Sequence, residues 1–179
     1  MTLPLSVLDQ SPISEGSTVA DALRRSIDLA RHAEACGYRR YWVAEHHGTA
    51  MLAGTTPELL IGQIGAATRT LRVGSGGVML PHYSPLKVAE TFNMLGALFP
   101  DRVDLAVGRA AGTDPLTAYA LQRDRRGAGP DDFPDQLGEL LGYLRDGLPQ
   151  ASRFTRLLRP QPWSPPVWML GSSPQSAVW

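Results

Sequence analysis

Tyr41-Trp42-Val43-Ala44-Glu45-His46-His47 is the stretch that decides the fold. An apolar run rich in aromatic and β-branched residues reads as a strand, and it stops at three polar residues in a row. Downstream, Thr56-Pro57-Glu58 reads as a helix start, because proline at the first helical position gives up no needed hydrogen bond. The same cadence recurs along the chain. Leu71 to Leu80 reads as a strand interrupted by Gly74-Ser75-Gly76-Gly77, followed by a helix from Ser84-Pro85. Val103 to Val107 leads into Gly108-Arg109, and Pro165 to Leu170 leads into Gly171-Ser172-Ser173 and a helix start at Pro174. Leu3 to Leu8 supplies a first strand, and Thr18 with Asp21 caps the helix after it. Strands alternating with helices imply a parallel sheet. Polar clusters at successive strand ends are the pattern of a β/α barrel, in which strand C-termini carry the chemistry.

The helices are marked by apolar spacing. Val19, Leu23, Ile27, Ala30 and Ala33 line the first, with Gly37 as its stop. Leu59, Leu60 and Ile64 are the expected inner face of the second, and Leu86, Val88, Ala89, Phe92 and Leu95 that of the third. Gly112 to Pro134 reads as a long loop with a short helix at Leu116 to Leu121, before a helix carrying Leu137, Leu140, Leu141, Leu144 and Leu148. Residues 1–179 therefore form one α/β domain of five strands. Eight strands close a barrel, in roughly 250 residues. An open, doubly wound five-stranded sheet is the competing architecture.

Composition removes several function classes. Lys+Arg and Asp+Glu number 17 each, so formal net charge is zero, and Arg123-Asp124-Arg125-Arg126 is only a short mixed run. Nucleic acid is not an expected partner. No apolar run approaches the ~20 residues of a membrane helix, so no membrane partner is expected. The N-terminus lacks a signal-peptide pattern, and the one cysteine, Cys36, cannot form an internal disulfide. A cytoplasmic location is the expectation.

His46 and His47 are adjacent, and on an extended chain they point to opposite sides. The other histidines, His32 and His82, stand at no ligand spacing, so no metal site is expected. A histidine at a strand's C-terminal end suits proton transfer, with a structural pair as the alternative. Gly74-Ser75-Gly76-Gly77 matches neither a P-loop nor a dinucleotide fingerprint. It reads as close backbone approach to something flat, or as a bulge. Arg109 at the mouth suits a phosphate or carboxylate, or else an ion pair with Asp104 or Asp114. Gly171-Ser172-Ser173-Pro174 sets small residues and hydroxyls at a helix N-terminus, where backbone N–H groups favour an anion.

Taken together, five motifs in order resemble the bacterial luciferase-like flavin-dependent monooxygenases, in particular their single-gene oxidoreductase branch. They are Tyr41 to His47, Arg72 to Pro81, Ser84 to Glu90, Val107 to Ala110 and Trp168 to Ser173, in a likeness running from Leu5 to Ala177. The resemblance implies a (β/α)8 TIM barrel, of which this chain supplies strands one to five as a partial barrel. It implies reduced FMN supplied by a separate, transiently bound flavin reductase, with the deazaflavin F420 as the alternative. The flavin reacts with dioxygen, and one oxygen atom goes to a small organic substrate. His46 matches the active-site histidine. Ser75, Gly76 and Gly77 match the stretch against the flavin ring, often with a non-proline cis peptide. Arg109 and the Gly171-Ser172-Ser173 turn match the phosphate site. A homodimer, or a chain that completes the barrel, is implied as well. The other readings are a non-catalytic truncated flavoprotein or assembly module, and an F420-dependent oxidoreductase. Relatives commonly carry glycine where this chain has Ala106 and proline where it has Ala111, both mild departures.

Overall fold

The computed structural model of the chain describes residues 3–109, 114–122, 131–157, 161–171 and 174–177. Five strands, β1 (Ser6–Asp9), β2 (Arg40–Val43), β3 (Arg72–Met79), β4 (Val103–Gly108) and β5 (Val167–Leu170), form one parallel sheet in the order β1-β2-β3-β4-β5. A doubly wound sheet reverses its strand order at a switch point. This one never reverses, so the chain winds in one sense, as in a barrel. The open-sheet alternative is thereby set aside, and the chain is a five-stranded partial barrel.

Helices α1 (Val19–Ala35), α2 (Pro57–Ala67), α3 (Pro85–Leu98) and α5 (Phe133–Leu141) make the outer layer, with a short α4 (Pro115–Leu121) preceding α5. Each start has a local cause. Thr18 and Asp21 form a reciprocal capping box on α1, with Thr18 Oγ1 accepting from the Asp21 N–H and Asp21 accepting from the Thr18 N–H. Pro57 and Pro85 open α2 and α3. α5 begins at Phe133, inside the stretch expected as loop, and runs into a π-helical turn, Gly142–Asp146. The last element is the 3₁₀ turn Pro174–Ala177.

One sheet face is a dry core. Tyr41, Val43, Val73, Leu105 and Val107 are buried against Ile61, Ile64, Phe92, Phe133 and Leu140. Each large apolar side chain so buried contributes roughly 1.5–3 kcal/mol. Two expected faces differ in detail. α1 turns the small residues Ala22, Ser26, Ala30 and Ala33 inward, leaving Val19 exposed. On α2 the inner stripe is Leu60, Ile61, Ile64 and Gly65, and Leu59 is 71% exposed because helical rotation carries it off that stripe. On the opposite face of the sheet, the lumen side, Leu8, Trp42, Trp168 and Leu170 line up. At the N-terminal ends of the strands, buried Asp104 gathers Arg72 (2.8 Å), Arg40 (3.2 Å) and the Trp168 indole N–H (3.3 Å). This floor keeps polar groups paired at the stable end of the barrel, away from the mouth.

Glu34, near the end of α1, staples the helix layer to the start of β3. Burial disfavours its charge, yet the backbone N–H groups of Thr70, Leu71 and Arg69 and the Thr70 hydroxyl outweigh it and hold the carboxyl at about 2, below its ordinary 4.5. A depressed carboxyl contributes its stability in full above 4.5 and loses it as pH falls toward about 2. Glu34→Gln should remove about 2 kcal/mol at neutral pH, discounted for partial exposure, and flatten the fall in stability across that acid window. Urea midpoints at neutral pH and at acid pH measure it; equal loss at both would contradict the assignment.

Candidate active site at the strand C-termini

The C-terminal ends of the neighbouring strands β2, β3 and β4 carry three of the clusters side by side. β2 ends in Val43 and passes into Glu45-His46-His47, a turn anchored by the His46 N–H to the Gly54 carbonyl at 2.8 Å. The His46 imidazole is half-buried, and its Nδ1 is shut from solvent with no hydrogen-bond partner in the described structure. A buried nitrogen left unpaired costs about 1–3 kcal/mol, which makes it a natural place for a ligand to bond.

His47 behaves otherwise. Its Nε2 lies 2.7 Å from Glu45 Oε1. The Glu45 side chain is fully buried and also accepts the Tyr83 hydroxyl (2.8 Å) and the Met79 N–H (3.0 Å). Burial first, then the nearby charge of Glu45, pushes the half-buried Glu58 carboxyl above its ordinary range, while His47 pulls the other way. Burial, followed by Glu45, likewise raises the Tyr83 hydroxyl, so it stays a donor. Alternation along an extended chain makes His47 the more tolerant of the two histidines, but the structure gives it a buried partner. No local pattern marks a role for Glu45, because its partners Met79 and Tyr83 lie 34 and 38 residues away.

β3 is built for close approach. The Gly76–Gly77 peptide is cis, and the β3–β4 register shifts there. A Cβ on Gly76 would stand 2.8 Å from Leu8 Cδ1 and 2.9 Å from Trp42 Cβ; one on Gly77 would stand 2.6 Å from Leu170 Cδ1 and 2.7 Å from the Ala106 carbonyl oxygen. Both glycines therefore let Leu8, Trp42 and Leu170 of the lumen face close directly onto the β3 backbone. Ser75 is placed differently. It is fully buried, its hydroxyl donating to the Ala106 carbonyl (2.8 Å) and accepting the Ala106 N–H (3.0 Å). It shapes the bulge from within the β3–β4 seam.

Arg109, just past β4, is exposed and paired with Asp131. Of the two carboxylates expected as its partners, Asp104 belongs to the barrel floor and Asp114 caps α4 through the Leu116 and Thr117 N–H groups. Beyond β5, a Cβ on Gly171 would collide with the Ser176 side chain, so these two residues lie close together. Ser172 and Ser173 lie outside the described residues. Among the described residues no cluster of His, Cys, Asp and Glu could hold a metal. No described helix is long and apolar enough to cross a membrane.

The histidine turn after β2, the close-packed glycines of β3 and Arg109 after β4 stand at strand C-termini, the end of a β/α barrel at which active sites are generally built. The chain belongs to the luciferase-like monooxygenase family, whose profile matches residues 3–178. It is 48% identical over 177 residues to the N-acetyl-S-alkylcysteine monooxygenase of Bacillus subtilis, covering 97% of this chain and 52% of that protein. It is 46% identical over 181 residues to a luciferase-like monooxygenase of Escherichia coli, covering 98% and 52%. The crystal structure of apo-MsnO8 superimposes with a TM-score of 0.87 at 46% identity, over 98% of this chain and 52% of that one. The chain thus spans about half the length of the relatives it matches.

Proposed function

We propose that this chain is the flavin-binding half of a monooxygenase that uses reduced FMN and dioxygen to oxygenate a small organic substrate. The observation that carries the reading is the buried, unpartnered Nδ1 of His46, on the turn after β2, the strand that pairs with glycine-faced β3. The glycine face would take the flat ring of the flavin, and His46 would hold or move a proton beside it. Arg109 would exchange Asp131 for the phosphate, since an exposed ion pair is worth little and is readily traded. The turn from Gly171 through Ser172 and Ser173 would supply further donors. When bound, reduced flavin supplies the electrons that activate dioxygen; the residues of the chain bind it, orient it and handle protons.

The fold alone does not choose the flavin. At below 25% identity it is shared by a monooxygenase component solved with FMN and by an F420-dependent alcohol dehydrogenase. FMN is favoured here because this chain's nearer relatives are named monooxygenases. We further propose that a reductase delivers the reduced flavin. A second copy or a completing chain would cover the outer strands β1 and β5, whose lumen residues Leu8, Trp168 and Leu170 are 57%, 44% and 42% exposed.

Fluorescence titration of FMN against riboflavin tests the phosphate site. FMN should bind more tightly, and Arg109→Ala should cost it about 1.5–3 kcal/mol, roughly tenfold or more, without changing riboflavin. Equal affinity for both flavins, unchanged in Arg109→Ala, would remove Arg109 from the site.

A further inference from the structure

We infer that Glu45 is a positioning residue that ties the His47 ring to the end of β3, so that the histidine turn and the glycine face keep one fixed relation. The inference deepens the flavin reading of this site, but its test needs no flavin. Three groups from three places converge on one fully buried carboxylate: His47 Nε2 (2.7 Å) from the turn after β2, the Met79 N–H (3.0 Å) at the last residue of β3, and the Tyr83 hydroxyl (2.8 Å) from just beyond. Hydrogen bonds to a carboxylate are the strong ones, and losing one partner of a buried group strands the others.

The geometry divides the labour at this carboxylate. Oε1 meets both side chains, His47 and Tyr83, while Oε2 alone holds the β3 backbone. His47 and Tyr83 therefore fix the plane of the carboxylate, and that plane fixes the Met79 amide. Met79 is two residues past Gly77, where the β3 register has just shifted. A free end of β3 at this point would let the glycine patch move relative to His46. His46 is left with its own Nδ1 unpartnered. Of the two adjacent histidines, one is committed to holding the frame and the other is presented to the site.

Amide hydrogen exchange and chemical shifts on protein labelled at glycine and methionine test the coupling in the flavin-free chain. His47→Gln should speed exchange of the Met79 amide roughly tenfold, the loss of about one charge-assisted bond, and should shift the Gly76 and Gly77 amide signals. In a Glu45→Gln background, the same His47→Gln change should add nothing. Tyr83→Phe, which keeps the ring volume, should reproduce part of the Met79 effect even if Glu45→Gln fails to fold. The inference is overturned if His47→Gln and Tyr83→Phe both leave Met79 exchange and the two glycine signals unchanged. It is overturned equally if the Glu45 and His47 effects simply add, since independent packing roles would do that. A failed FMN titration would leave this result standing, and the reverse also holds.

Discussion

Replacing His46 by alanine should lower turnover about 10²–10⁴-fold, the usual worth of a positioned proton-transfer group, and should leave FMN affinity nearly unchanged. The asymmetry comes from geometry. The groups proposed to hold the flavin are the β3 glycine stretch and Arg109, whereas the His46 Nδ1 is a single buried nitrogen with no partner among the described residues. Alanine removes that nitrogen without placing anything on the glycine patch. Product formation with excess reduced FMN, together with a separate binding titration, separates the two effects. Turnover at the original rate would make His46 structural. Loss of flavin affinity with normal turnover of the bound fraction would make it a binding group.

Gly74→Ala and Gly77→Ala should each destabilise the chain by about 1–3 kcal/mol, the usual cost of forcing an extra carbon into a packed seam. The obstacles are backbone atoms that cannot swing aside: the Asp104 carbonyl oxygen for Gly74, and the Ala106 carbonyl oxygen at 2.7 Å for Gly77. For a chain of this size that is roughly 2–4 °C of melting temperature per kcal/mol. Gly108→Ala is the control, because a Cβ there meets nothing within 4 Å. Thermal melts of the three variants decide it. A Gly77→Ala melt matching wild type would show that the strands spread easily at the bulge, and the close packing at Gly77 would carry no energetic weight. Gly77→Ala should also weaken flavin binding, whereas Gly74→Ala, set deeper in β3, should act through stability alone.

The features that were legible in the sequence are those set by local chemistry. The apolar run of β2, the proline starts of α2 and α3 and the Thr18–Asp21 box each fit in a few adjacent residues, and each sits where expected, with ends moved by a residue or two. The placement of His46 followed from the same local signal, a polar residue at the end of an apolar strand. What the sequence hid was long-range. Glu34 reaches the Arg69–Leu71 backbone, Arg109 pairs with Asp131, and Glu45 finds Met79 and Tyr83. Nothing in the spacing of these residues marks the partner, because the fold alone brings them together. Ser75 carries the same lesson in reverse. It stands in a glycine-rich run that reads as ligand-facing, but alternation along β3 turns its hydroxyl into the β3–β4 seam.

Delivery of an oxygen atom from dioxygen is read out with isotopically heavy dioxygen: the protein, reduced FMN and a panel of small organic compounds would be mixed under it and the products weighed by mass spectrometry. The account requires one heavy oxygen atom in the oxidised product, formed only with FMN reduced beforehand and diminished in His46→Ala. An oxidised product free of heavy oxygen would contradict the monooxygenase reading.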